Sequence, residues 1–557
     1  MSRRLDSGLP TAAPTHGPLV NRRRRDPESP PLGPVTSSQA LARAGLIVSS
    51  AFLVSRILGW IRIVVIVHAF PAGPELDAFF AAFRLPDLVF QLVAAGALSS
   101  AVIPVVSALF ATDENARAWR VVSTIANLML LALLVLAVVV LIAAPPIIRA
   151  ITPGFTEAEW SRTVDLTRIM ILSPIFLALG SLVTSVLNAR GRFAASAIAP
   201  IVYNLAIIGA AVLLAPTMGV TGVAVGVVAG SIGHFVVQLA PLRALGFRYD
   251  RQIDLADPES RQALKLMAPR ALGLGAGQIT FVVVTAIAST LGDSAITSFF
   301  VAFTLLQIPI GIIGVPLGVV VLPSLSREAA LGRIDEFAAL VSRAIRLLLF
   351  VMLPITGIAM VLRHEIVDLL FESRRFGEAA SDLTAATLLT FLIGLAAHAL
   401  IAVLARAFYA RQDTKTPVAA AILAVVVNST LAGLLAGPLG LPGLGLAIAI
   451  AAWLETIVLF VLLKRSLPEL AFRPILVLAA QSMVVAVGGT LAAAGVAAGL
   501  GLALGADVSR FGLVVRIVVA GVVWLLTSAA IAAVLRIGEL TSMIGLMADL
   551  IRRPRRA

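Results

Sequence analysis

Cysteine is absent from the 557 residues. Disulfides, thiolate metal sites and cysteine nucleophiles are therefore excluded, and the absence carries no information about redox compartment. Charge is scarce as well. Asp, Glu, Lys and Arg make up 13% of the chain, against about 25% for a soluble domain. Tyrosine occurs three times and histidine five times. No GxxxxGK[ST] phosphate loop and no HExxH zinc motif is present, so neither ATP hydrolysis nor zincin chemistry is expected. What is abundant is apolar: 59% of residues are hydrophobic and the mean hydropathy is +1.01. That excludes a water-soluble enzyme. Gly (43) and Pro (30) are plentiful, as membrane helices packed on neighbours tolerate.

A transmembrane helix needs about 20 mostly apolar residues. Fourteen candidates run at 42–70, 75–107, 121–148, 163–189, 195–215, 220–242, 266–291, 295–325, 336–362, 380–409, 416–436, 440–463, 474–501 and 511–536. Runs such as Leu128 to Ala144 lack the two-residue alternation of a β-barrel, so the expected class is an all-α polytopic membrane protein. Arginine and lysine mark the cytoplasmic side. They recur in alternate loops (Arg117 and Arg120; Arg190 and Arg192; Arg243 to Lys265; Arg327 and Arg333; Arg411 and Lys415; Lys464, Arg465 and Arg473) and in both tails. Both termini are thus expected inside, which an even helix count satisfies. Arg374 and Arg375 dissent, falling on the outer side. Residues 1–40, rich in Arg, Pro and Ser, read as a disordered basic tail, and Arg22 to Arg25 as a topology anchor at anionic headgroups.

An internal repeat organises the spans. Phe79 to Phe83 reads FFAAF and Phe299 to Phe303 reads FFVAF. At about the same spacing, Ile103 to Ser107 faces Leu322 to Ser326, and Asn188-Ala189-Arg190 faces Tyr409-Ala410-Arg411. A period of about 220 residues spans six helices. The chain therefore divides into a six-helix lobe at 41–243, a linker at 244–265, a second lobe at 266–466, two extra helices at 467–540 and a basic tail at 541–557. Repeats with an even number of spans share one orientation, which implies two halves around a V-shaped cleft with alternating access.

Charges inside spans are functional candidates by default. Arg56 and Arg62 lie in helix 1 within SRILGWIR, with Gly59 between them as a point of bending or close approach. Asp77, Arg84 and Asp87 open helix 2, where Asp77, Arg84 and Gln91 share one face by their seven-residue spacing. The second repeat is neutral at these places: Asp77 aligns near Thr297, Arg84 with Thr304, and Arg56 and Arg62 with Ala276 and Val282. Arginine keeps its charge when desolvated and pairs with phosphate oxygens. An arginine-lined cleft therefore suggests an anionic substrate bearing phosphate; the competing reading is that Arg56 and Arg62 pair with Asp77 or Asp87 to hold the helices together. Asn127, Asn204, His234, Gln238, Gln278, His398 and Asn428 suit interhelical hydrogen bonds. Glu455, in the middle of helix 12, is a candidate for ion coupling, and Arg510 and Arg516 for snorkelling. No cofactor, metal ligand set or nucleic-acid partner is expected.

SRILGWIR (55–62), LDAFFAAFRLPDL (76–88), GALSSAVIPV (96–105), NARGRF (188–193), LPSLS (322–326) and YARQDTKTP (409–417) resemble the MurJ/MviN family of the multidrug/oligosaccharidyl-lipid/polysaccharide exporter superfamily. The resemblance covers roughly 42–540. It implies a lipid II flippase, not an enzyme: a multi-pass protein of the bacterial cytoplasmic membrane that moves an undecaprenyl-diphosphate-linked peptidoglycan precursor outward for cell wall biosynthesis. It implies an arginine cavity for the diphosphate, a groove at the two C-terminal helices for the lipid tail, and contact with membrane lipids and cell-wall synthesis enzymes. By position Arg56, Arg62 and Arg84 become substrate ligands and Asp77 an orienting or gating residue. Family members commonly carry further arginines where this chain has Phe90 and Thr304, and Arg270 is the candidate replacement. Another polyprenyl-diphosphate oligosaccharide, a cation-coupled drug exporter, a lipid-carrier enzyme and a non-transporting scaffold are the alternatives.

Overall fold

The computed structural model describes residues 38–93, 97–373, 375–504 and 509–541. Every element among them is helical. Span 1 is α1 (Ser38–Ala69). Span 2 is broken into α2 (Pro74–Ala82), α3 (Arg84–Val93) and α4 (Ala97–Ala111). Span 3 is α5 (Asn115–Ile151), and span 4 pairs α6 (Glu157–Met170) with α7 (Ser173–Ala189). Span 5 is α8 (Phe193–Leu213), followed by the single turn α9 (Ala215–Met218). Span 6 is α10 (Val220–Val236) with α11 (Leu239–Ala244). Span 7 is α12 (Pro258–Ala288). Span 8 runs through α13 (Ala295–Pro309), a π-helical turn (Ile310–Gly314) and α14 (Val315–Ala330). Span 9 is α15 (Ile334–Val361), with the short α16 (Arg363–Phe371) after it. Span 10 joins α17 (Glu378–Ile393) to α18 (Leu395–Ala410), and spans 11 to 14 are α19 (Lys415–Leu439), α20 (Leu441–Ser466), α21 (Phe472–Leu504) and α22 (Arg510–Val534).

The helices thus follow the expected order of segments. Among the described residues, ten helices are long and apolar enough to cross a membrane unaided, and an eleventh counts if α17 and α18, bent by 44°, form one span. The other three, spans 1, 2 and 7, carry the charges or breaks that matter below.

The breaks follow from sequence. Pro86 has no N–H to give the carbonyl of Ala82, so span 2 is interrupted at Phe83. The freed Ala82 carbonyl accepts from Thr167 Oγ1 at 3.4 Å instead. Asp77 and Arg84 consequently sit on different helices and do not share the continuous face expected of them. In span 8, Pro309 and Pro316 remove two donors within eight positions. Between them the chain widens to i→i−5 bonding, with Val315 N–H on Ile310 O. The loops after the repeat-related helices α7 and α18 match as well. Each helix ends on an arginine, Arg190 or Arg411, followed by a positive φ of 69° at Gly191 or 61° at Gln412. After Gln412, Asp413 Oδ1 accepts from Lys415 and Thr416 N–H at 3.0 Å each, starting α19. The Thr416 hydroxyl and these amides hold the Asp413 carboxyl below the usual carboxylate range.

The lobes are fused at one end and separate at the other. Ile66, Phe70, Leu76, Phe79, Phe155 and Met170 of the first lobe share one buried cluster with Ala295, Phe299, Phe337, Phe371 and Phe391 of the second. The first-lobe members lie toward the end with few basic loops, whereas the second lobe's run on to the basic end at Phe337, Phe408 and Leu467. The first lobe also has a cluster of its own, which runs from Ile151 to the basic end at Val106, Trp119, Leu187 and Leu242. That cluster also takes Ala263 and Met267 of α12, whereas Val284 and Ala288 of the same helix belong to the shared cluster. Span 7 therefore starts in the core of the first lobe, and the expected boundary at 265/266 does not coincide with a break in packing.

The linker before it is strapped to α5. Asn127 Nδ2 donates to Asp250 O at 3.0 Å, Tyr249 donates its hydroxyl to Asn127 Oδ1 at 2.6 Å, and Asp254 N–H reaches Thr124 Oγ1 at 3.2 Å. Arg117 pairs with Asp257 at 2.8 Å, with Glu114 at 3.2 Å and with Glu259. Partial burial pushes the Asp257 carboxyl up, but the bonds from Arg117 and the local amides outweigh it and hold it low. Asn127 thus serves the strap rather than an interhelical bridge inside the membrane. The bridging role does hold elsewhere: Gln238 donates to Gly180 O at 3.2 Å, and Asn204 to Ser55 O at 3.3 Å.

Span 13 packs on span 9, and span 14 on span 13, through small residues. A methyl group built on Gly357 would overlap Thr490, and one on Gly489 would meet Ser528 and Trp524. Arg516 is not a snorkelling residue. It pairs with Glu365 of α16 at 3.3 Å and donates to Ala497 O at 2.9 Å, while Arg346 pairs with Glu539 at 2.6 Å near the opposite end.

Candidate functional site

Three charged residues of the first lobe are received by neutral groups of the second. Asp77 is 2% exposed. Its Oδ1 accepts from Thr297 N–H at 2.8 Å and from Thr297 Oγ1 at 2.5 Å. Thr297 is the third residue of α13, whose own cap residue, Ser294, makes no side-chain cap. Asp77 therefore caps a helix of the other lobe, where a carboxylate meets both unpaired N–H groups and the positive end of the helix dipole. The partner of Oδ1 is therefore Thr297, a neutral residue of the second lobe. The two residues are 220 positions apart, the repeat period, so equivalent positions meet face to face. Phe80 and Phe300, separated by the same period, stack with ring centroids 4.5 Å apart.

Arg84, 9% exposed, is enclosed by the second lobe. Its guanidinium carbon lies 5.3 Å from the rings of both Phe281 and Phe300, and Nε donates to Thr285 Oγ1 at 3.1 Å. Arg56 is half-buried. A methyl group on Gly311, in the π-helical turn of span 8, would overlap Arg56 Nη1 and come within 2.8 Å of its Cζ. Arg62 stays within the first lobe, its guanidinium 5.7 Å from the ring of Tyr203 on α8. Asp87 acts on Tyr203 and on Arg84, so these four residues form one polar group.

The same end is tied by backbone. Ala72 N–H donates to Arg375 O at 3.2 Å and Arg375 Nη1 reaches Ala69 O, while Gly154 N–H donates to Ser289 Oγ at 3.1 Å. Arg375, the residue that dissents from the loop-charge pattern, is spent clasping the last turn of span 1. Arg374 lies outside the described residues.

The family model described as "Lipid II flippase MurJ" matches residues 66–528. The chain belongs to the MurJ family. A "Probable lipid II flippase MurJ" of Rhizobium tropici is 34% identical over 443 residues, 76% of this chain and 81% of that protein. A "Lipid II flippase MurJ" of Burkholderia cenocepacia is 32% identical over 435 residues, covering 76% and 84%. A solved "Lipid II flippase MurJ, inward closed conformation" superposes with a TM-score of 0.73 at 23% identity, over 88% of this chain and 99% of that one. An inward-facing multidrug resistance MATE transporter of the MOP superfamily gives 0.61 at 17%, over 74% and 95%. At those identities the structures speak to the fold: a multi-pass transporter fold of the MurJ and MATE type, in a multi-pass bacterial membrane protein.

Against the family pattern, Phe90 packs beside the first lobe's core and Thr304 donates its hydroxyl to Phe300 O of its own helix at 2.8 Å. The side chain of Arg270, the expected substitute, lies outside the described residues. Among the described residues nothing approaches Gly59: α1 runs through it unbroken, and a Cβ there would meet none of them within 4 Å. Glu455 lies on span 12, and among the described residues no ion pair forms with it. Sequence reading missed Arg406. Its guanidinium lies over Gly318 of span 8 and donates to Ala402 O at 2.5 Å. An arginine five residues inside the end of a span was the available signal. Phe281, Thr285 and Phe300 were also missed, because aromatic and hydroxyl residues in an apolar helix look like ordinary packing.

Proposed function

We propose that this chain carries an undecaprenyl-diphosphate-linked peptidoglycan precursor, lipid II, from the inner to the outer leaflet by alternating access. The observation that supports it most is the meeting of repeat-equivalent residues, Asp77 on Thr297 and Phe80 on Phe300, at the end with few basic loops. Two lobes joined at one end and separate in their cores at the other can rock about that junction. The basic loops mark the separate end as cytoplasmic, which puts both termini inside and the junction outside. Arg56 and Arg62 are the diphosphate ligands in this reading. Arg84 joins them when Phe281 and Phe300 withdraw, since charge-assisted bonds to phosphate outcompete a cation–π contact. Asp77 is the outer gate, whose cap on α13 must break for outward opening. Arg270 is a further ligand in this reading, supplying charge where Phe90 and Thr304 have none, and Gly59 gives span 1 room to bend.

The lipid tail suits an apolar groove of about 640 Å³ between spans 9, 10, 12 and 13, lined by Leu349, Leu404, Phe460, Ile475, Ala479 and Met483, with Lys464 and Arg465 at its basic end. Glu455, an acid without a partnering base, is the residue to test for ion coupling: Glu455→Gln abolishes transport if a proton or cation binds there and leaves it intact otherwise. Cell-wall synthesis enzymes are the partners this activity would feed.

The deciding experiment is rescue of a flippase-depleted bacterium, read by lipid II in the outer leaflet. Arg56→Ala and Arg62→Ala are expected to abolish rescue at normal membrane levels. Full rescue by both would overturn the ligand assignment. Rescue by the unaltered chain without outer-leaflet lipid II would point to a different lipid-linked oligosaccharide or to a scaffold.

A further inference from the structure

We propose that Gly311, on the π-helical turn of span 8, is a positioning residue for Arg56, so that the second lobe sets where a phosphate-binding guanidinium of the first lobe points. This rests on the reading of Arg56 as a substrate ligand.

The turn exists because Pro309 and Pro316 strip donors from either side of it, and the widened i→i−5 backbone carries one more residue than an α-turn would. That extra residue rotates the following glycines relative to α13. Gly311 is buried, and the space a Cβ would fill is taken by the head of Arg56: Nη1 would be overlapped, Cζ would lie at 2.8 Å and Nη2 at 3.5 Å. Three atoms of the guanidinium face that one vacancy. Three residues on, Gly314 lies against Ala399 of α18, where a Cβ would come within 3.1 Å of the Ala399 Cα. The turn is thus backed by span 10 and cannot move away from a larger residue at 311. On the other side, Asn204 holds Ser55 O, the residue before Arg56, at 3.3 Å. Arg56 is therefore gripped from both lobes: its backbone by span 5 and its head by span 8.

Two consequences follow from that grip. Filling the vacancy displaces the guanidinium without removing its charge. Separating the lobes also removes one wall of the seat, so the orientation of Arg56 depends on the state of the transporter. A diphosphate bound to Arg56 is then coupled to the position of the second lobe.

The test is a double-mutant cycle on the full-length protein in detergent, measuring Kd for lipid II with Gly311→Ala, Arg56→Ala and both together. Gly311→Ala is expected to weaken binding about tenfold, and to cost less than about twofold in the Arg56→Ala background, because interacting residues are non-additive. Equal cost in both backgrounds overturns the proposal, as does unchanged binding in Gly311→Ala. If Arg56→Ala alone leaves Kd unchanged, the ligand reading fails instead. Should Gly311→Ala not accumulate in the membrane, the double variant decides: recovery once the overlapping guanidinium is gone supports the seat, and continued failure assigns Gly311 a purely structural role and overturns it.

Discussion

The two six-helix halves share the break in their fourth spans, α6/α7 and α17/α18, and the loop ending that follows it, and they differ in charge. The first half presents Asp77, Arg84 and Arg56. The second presents, at or near the corresponding level, the open N-terminus of α13, a pair of phenylalanines with a threonine, and a glycine in a π-helical turn. Duplication alone would have placed like beside like across the symmetry axis, and two buried aspartates or arginines facing each other would repel strongly. Divergence into a charged half and a receiving half removes that repulsion. It also lets each buried charge be met across the lobe junction by groups that carry no charge of their own: N–H dipoles, ring faces and a hydroxyl. A contact of that kind can be broken without stranding a counter-ion in the membrane, which suits lobes that must part and rejoin.

The strongest way to break this complementarity is at the cap. Asp77→Ala leaves the first turn of α13 without its acceptor, at a cost of about 1–2 kcal/mol, or roughly tenfold or more in the balance between joined and parted lobes. Hydrogen exchange over residues 294–300 should accelerate by about that factor, and rescue should be lost. Thr297→Val, which keeps the N–H bond but removes the hydroxyl, should show a smaller acceleration.

Next in size is the aromatic enclosure. Phe281→Leu combined with Phe300→Leu keeps an apolar wall but loses both ring faces, worth about 1–2 kcal/mol for a desolvated cation. Arg84 should then become accessible to arginine-directed reagents such as phenylglyoxal while membrane levels hold; continued protection would mean that shape alone encloses it.

A smaller effect is expected where no charge asymmetry between halves is involved. Arg516→Met leaves Glu365 partly buried without its partner and should lower the melting temperature of the detergent-solubilised protein by a few degrees. Adding Glu365→Gln should recover part of the loss, since removing one partner of a buried pair is worse than removing both charges.

The smallest expected effect is at the linker strap, on the exposed side of the first half. The carboxyls of Glu114 and Asp257 sit below their usual range, so their contribution is fully present above the ordinary carboxylate pKa of about 4 and is lost as the pH falls through their lowered values. At neutral pH, Asp257→Asn should speed tryptic cleavage after Arg248 and Arg251 about two- to threefold. In the unaltered protein the emission of Trp119, which packs edge-on against Phe247 at 5.4 Å, should shift only below about pH 4.

Hydropathy, loop charge and the 220-residue period were enough to find the helical class, the order of the spans and the two related halves, because each is a property of composition or spacing along the chain. The same reading found Asp77, Arg84 and Arg56, since a charge within an apolar run is visible by contrast. It missed the break at Phe83, although Pro86 announces it, and it singled out Gly59 beside Arg56 in the chain when Gly311 is the glycine against Arg56 in space. What each charge touches was a decision of the tertiary structure. Asp77 could have paired with Arg56 or Arg62 on any argument from residue type. Only the packing of α2 against α13 gives it Thr297, and only the closing of span 7 and span 8 around span 2 turns Phe281 and Phe300 into an arginine's enclosure. The physical reason is that burial of a charge demands satisfaction but does not specify by what. A linear sequence shows the demand, and the partner is fixed by which helices the fold brings within about 3 Å.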